Sequence, residues 1–146
     1  MTEEVTGYKS FFEEKKGLLS WILTTDHKRI AILYLYSIFS FFLVGVFLGF
    51  LLRLELISPG KDIMEPQTYN QIFTLHGVIM IFLFIIPGIP AIFGNFFIPI
   101  IIGTDDVAFP RLNLFSWYLY IAGAILALST LVFGDGPADT GWTFYA

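Results

Sequence analysis

Residues 71–113 read QIFTLHGVIMIFLFIIPGIPAIFGNFFIPIIIGTDDVAFPRLN, and residues 72–102 within them form a run of 31 without Asp, Glu, Lys or Arg. A helix needs about 20 apolar residues to cross the hydrocarbon core of a bilayer. This segment therefore spans a membrane. A few residues into the run stands His76, at roughly 6 Å of helix rise from Ile72 at 1.5 Å per residue. Water cannot satisfy a spare imidazole at that depth, so an ionisable residue there faces protein and marks a ligand, a proton path or an ion path. The competing account is a histidine that donates to a neighbouring helix carbonyl. Gly77 beside it leaves room for a flat group or for a close helix crossing.

The surrounding chain supports an integral membrane class. Of its 146 residues 56% are hydrophobic and only 14% charged, and the mean hydropathy is +0.76, which excludes a soluble globular domain. There is no cysteine, hence no disulfide framework and no thiolate metal site in these residues. The net charge of -4 and the lack of a basic stripe with interleaved aromatics exclude a nucleic-acid partner. The predicted fold is all-α, a helical bundle with three transmembrane helices. Residues 1–29 form a cytoplasmic N-terminal segment and residues 30–146 the membrane domain. No secretory signal pattern opens the chain. Around 11–21 an interfacial stretch and an irregular one are equally compatible with the residues.

The first span, residues 30–52, carries Gly45 and Gly49, a small-xxx-small pair suited to helix packing. Arg53 follows it, where a guanidinium can snorkel or reach a buried acceptor. The next loop contains Glu55 and the turn at 58–60; Glu55 with nearby carbonyls is a weak candidate for a hard cation, and a solvated acid is the plainer account. Pro87, Pro90 and Pro99 predict a bent second span tolerated within a larger bundle. Asn95 lies in its second half and needs a partner. Asp105 and Asp106 precede a third span at 111–133, with Pro110 on its first turn, and are accounted for by the positive end of that helix's dipole. Asn95 and Asn113 belong to elements meeting Asp106 at one membrane face, where they could hold a file of water. The tail beyond 133 is turn-rich and returns toward Trp142 and Tyr145. Six basic residues fall on the N-terminal side of the membrane and two on the other, which predicts a cytoplasmic N-terminus.

The strings FTLHG, FGN and D-AFPRLN, with TTDHKRI and LLRLEL flanking the first span and GWTFY near the end, closely resemble the catalytic subunit I of haem-copper oxygen reductases, over about residues 21–146. The resemblance implies that these three helices belong to a subunit of roughly twelve. It implies that His76 supplies one axial ligand, through Nε2, to a low-spin haem of a or b type, with Arg53 and Trp142 near its periphery. Asp106 matches the entrance of a proton channel, Asn95 and Asn113 its water-ordering amides, and Glu55 with Gly60 a peripheral Ca²⁺ or Na⁺ site. His27 matches no metal ligand and reads as an interfacial structural residue. The implied reaction is O₂ reduction to water coupled to proton pumping in a bacterial cytoplasmic membrane. Cytochrome c is favoured over quinol as donor because the first span is uncharged. The implied partners are the remaining subunit I helices and subunits of types II and III. The high-spin haem, the copper and the second axial ligand match nothing here, so no residue of this chain is expected to be catalytic by itself, and a fragment, a split subunit and a truncated paralogue all remain compatible. Two rival functions are a b-type cytochrome subunit, which usually needs paired histidines, and half of a channel or transporter.

Overall fold

The computed structural model describes residues 17–57, 59–60, 63–133 and 136–145. The basic residues Lys9, Lys15, Lys16 and Lys61 and most of the 11–21 stretch lie outside them. Every regular element described is helical: α1 (Leu18–Ile22), α2 (His27–Glu55), α3 (Pro66–Val78), two π-helical stretches (Ile79–Ile85 and Gly88–Gly94), α4 (Asn95–Ile102) and α5 (Pro110–Ser129). Among the described residues three helices are long and apolar enough to cross a membrane: His27–Glu55, the continuous Pro66–Ile102, and Pro110–Ser129. The chain is thus a multi-pass membrane protein.

Local chemistry sets the boundaries. Asp26 caps α2, its Oδ1 accepting from the Arg29 amide at 2.9 Å, a residue type suited to the orphan donors of a first turn. The second long helix starts at Pro66, six residues before the apolar run, because Pro sits well at the first helical position. His76 is consequently about 15 Å along that helix at 1.5 Å per residue, deeper than the apolar run alone implies. Gly103, at φ 72°, ends the helix in the left-handed conformation. α5 stops at Ser129, short of the predicted 133.

The prolines are absorbed without ending the helix. Wider π-helical turns lie on both sides of Pro87. Pro87 offers no N–H to the carbonyl four residues back, Leu83, and the Tyr120 hydroxyl donates to that oxygen at 2.7 Å.

Two apolar clusters lie along the α2 contacts. One joins Ile30, Tyr34, Ile38, Ile92 and Leu114; the other joins Leu48, Leu75, Ile79, Leu83 and Ala124. Outward positions stay apolar, Ile101 and Val132 being more than three-quarters exposed, as suits lipid or further helices. Between apolar helices in lipid there is little hydrophobic drive, so small residues and hydrogen bonds hold the packing. A Cβ at Gly45 would meet the Met80 sulfur at 2.6 Å, and one at Gly49 the His76 Cε1 at 2.9 Å. The glycine pair therefore brings α2 and the second span together in antiparallel register.

Candidate functional site

The predicted residues gather at opposite ends of the bundle. At the Glu55 end, the half-buried His76 donates from Nδ1 to the Gly45 carbonyl at 2.8 Å. A carbonyl only accepts, so Nδ1 carries the proton and Nε2 keeps its lone pair. The helix-carbonyl bond and a ligand role are therefore compatible. One residue on, Gly77 is occupied by Trp142: a Cβ there would lie 2.9 Å from the Trp142 Cβ and Cδ1. The space beside Gly77 is a close chain crossing. Residues 136–145 form a strap against α3, with Gly141 N–H donating to Thr74 Oγ1 at 2.8 Å and Gln67 Nε2 to Asp139 Oδ2 at 2.8 Å. The Trp142 indole meets Phe82 edge-on at 6.4 Å. Arg53 is exposed on the last turn of α2. Neither its guanidinium nor the Trp142 N–H has a hydrogen-bond partner among the described residues.

Glu55 is buried, and its Oε2 accepts from the amides of Ile63 and Met64 at 3.0 and 3.1 Å. The solvated loop acid expected from the sequence is instead a clamp that folds the following loop back onto α2, because buried carboxylate oxygens need donors. Glu55 and Gly60 line one cavity of about 620 Å³. No cluster of three His, Cys, Asp or Glu able to hold a metal ion occurs among the described residues.

At the His27 end, Asp106 makes no capping hydrogen bond to α5. That helix has Phe109 at its N-cap, no side-chain cap and no acid in its first turn; Asp106 precedes the first turn, beyond which dipole effects fade. Its Oδ1 accepts instead from the Val107 amide at 2.7 Å and from His27 Nδ1 at 3.2 Å. His27 is buried at 3% exposure, and its Nε2 is buried without a partner among the described residues. His27, expected as an interfacial structural residue, stands at the first position of α2 as a buried partner of Asp106. Sequence reading missed this pairing because 79 residues separate the two.

Asn95 and Asn113 do meet. Asn113 Nδ2 donates to Asn95 Oδ1 at 2.6 Å, and Asn95 Nδ2 to the Ala91 carbonyl at 2.7 Å. The Ser116 hydroxyl donates to the Asn113 carbonyl at 2.6 Å. With its single proton so committed, it accepts from the Tyr34 hydroxyl at 2.8 Å. Asn95, Asn113, Ser116, Tyr34 and Val107 line a cavity of about 490 Å³. Asp106 adjoins this polar file through Val107. Tyr34 and Ser116 went unnoticed in the sequence, where a hydroxyl in an apolar helix carries no signal of its own.

Comparison with known proteins agrees with this architecture. The family model for cytochrome c and quinol oxidase polypeptide I matches residues 29–146. The chain is 44% identical over 129 residues to the "Probable cytochrome c oxidase subunit 1-alpha" of Streptomyces avermitilis, covering 88% of this chain and 22% of that protein. It is 42% identical over 135 residues to the "Cytochrome c oxidase subunit 1" of Corynebacterium diphtheriae, covering 90% and 23%. To the protein of the same name in Corynebacterium efficiens it is 40% identical over 136 residues, again covering 90% and 23%. The chain spans less than a quarter of the length of these curated relatives. With the family model matching most of its length, the chain belongs to the family of cytochrome c and quinol oxidase polypeptide I.

Proposed function

We propose that this chain contributes the first three membrane helices of the catalytic subunit of a terminal respiratory oxidase, with His76 as one axial ligand of a low-spin haem and Asp106 as the entrance of a proton path. The observation that carries the reading is the His76 Nδ1 bond to Gly45. It fixes the tautomer that leaves Nε2 as a ligand, in the way metal-bound histidines are commonly oriented by their other nitrogen. The donors of Arg53 and Trp142, which meet no hydrogen-bond acceptor among the described residues, fit the carboxylates of a haem. When bound, the haem relays single electrons toward the site of O₂ reduction.

At the opposite end Asp106 is 37% exposed and in contact with His27, a carboxylate accessible to water beside the amide and hydroxyl file of Asn113, Asn95, Ser116 and Tyr34. Such a file orders water without trapping a charge, and the carboxylate concentrates protons at its mouth. The assembly would be completed by further helices of the subunit and by subunits of types II and III, with the high-spin haem and copper ligated there. Cytochrome c is the favoured donor. The excess of basic residues before the first span supports a cytoplasmic N-terminus in a bacterial inner membrane. The sharing of one cavity by Glu55 and Gly60 supports a secondary proposal, a peripheral Ca²⁺ or Na⁺ that shares Glu55 with its two backbone donors.

The test is the reduced-minus-oxidised optical spectrum of the detergent-purified assembly, wild type beside His76→Ala. The reading requires a low-spin haem band in the wild type that disappears in the variant. A haem-free wild type, or a band untouched by the substitution, would sink it.

A further inference from the structure

The strap at 136–145 carries Trp142 to the His76 turn, where a buried hydroxyl is bonded to it. We propose that Thr74 is a positioning residue for Trp142, acting through the Gly141 amide; this rests on the reading of Trp142 as a donor at the haem periphery. Thr74 is only 3% exposed. Its Oγ1 donates to the Asn70 carbonyl at 2.9 Å and accepts from Gly141 N–H at 2.8 Å. A hydroxyl has a single proton, so committing it to Asn70 aims a lone pair at the strap and stops the rotor from turning away.

Gly141 stands at φ 83°, a conformation costly for any residue with a Cβ, and that turn directs the next residue inward. Trp142 then seats on Gly77, next to His76 in the chain, where no side chain separates the indole from the α3 backbone. A further polar tie of the strap among the described residues, Gln67 to Asp139, is exposed. Water competes for exposed hydrogen bonds, whereas a buried acceptor left unmade carries its full desolvation cost. Thr74 therefore helps to keep the indole N–H fixed beside the His76 turn, together with the Phe82 ring contact.

The complete oxidase assembly carrying Thr74→Val, Thr74→Ser, Trp142→Phe or Thr74→Val with Trp142→Phe tests this by two readouts. Hydrogen exchange of peptides covering 136–145 should be about tenfold faster in Thr74→Val, which keeps the shape and loses the acceptor, and normal in Thr74→Ser. The midpoint potential of the low-spin haem should shift in the same direction in Thr74→Val and Trp142→Phe, with no further shift on adding Thr74→Val to Trp142→Phe. Unchanged strap exchange in Thr74→Val, or an equal potential shift with and without the Trp142 indole, overturns the proposal. If the wild type holds no low-spin haem, or one insensitive to His76→Ala, the functional reading fails by that separate result, and the exchange comparison still decides whether Thr74 holds the strap.

Discussion

The imidazole of His76 lies on Gly49, and the carbonyl one turn earlier on α2, that of Gly45, accepts its Nδ1 proton at 2.8 Å. Two glycines four residues apart thus do different things for one histidine: one provides the space and the other the acceptor.

Enlarging Gly49 should therefore unseat His76 in proportion to size. A Cβ there lies 2.9 Å from the ring Cε1, so Gly49→Ala should cost about 1 kcal/mol and Gly49→Val up to about 3 kcal/mol, the range for overpacked interiors. Thermal denaturation in detergent measures the cost. The low-spin haem band should weaken in the same order, and equal stability and spectra across the series would show that the ring is not wedged against α2.

The three spans and the family strings were readable because both are local: an uncharged run of 31 residues or FTLHG needs no knowledge of what it packs against. The start at Pro66 was hidden because PQTYNQ is polar yet helix-compatible, so hydropathy undercounts the helix. Asn95 and Asn113 were singled out as amides in apolar surroundings, and the structure joins them. His27 with Asp106 and Tyr34 with Ser116 lie 79 and 82 residues apart. Their proximity comes from α2 lying beside α5 and the loop that leads into it, a relationship that periodicity in either helix does not contain.

Asp106 should be separable from the haem. Asp106→Asn keeps the shape and removes the proton-exchanging carboxylate, and turnover should fall by at least about tenfold, given what a positioned acid–base group contributes, while the His76-dependent spectrum stays intact. Oxygen consumption and proton release from vesicles check this. Turnover and pumping at the wild-type level would remove Asp106 from the pathway.

The amide pair should behave as a unit. Asn113→Ala strips the donor from Asn95 Oδ1, on a residue 7% exposed, at a cost of about 1–3 kcal/mol for a buried group left unpaired. Adding Asn95→Ala removes the stranded group as well, so the double variant should be less destabilised than the two single losses added together. Strict additivity in thermal or denaturant unfolding would count against the bond.

Tyr120 and Pro87 give the last coupling. The Tyr120 hydroxyl reaches the Leu83 carbonyl at 2.7 Å, an oxygen that Pro87, lacking an N–H, cannot satisfy. Tyr120→Phe leaves the apolar ring contacts with Tyr34 and Phe41 and deletes only the donor, so it should destabilise by about 1 kcal/mol. In a Pro87→Ala background a backbone N–H becomes available to the second span, and the same Tyr120→Phe change should cost clearly less. A full cost in both backgrounds would mean that the hydroxyl ties α5 to the second span for its own sake and does not compensate the proline.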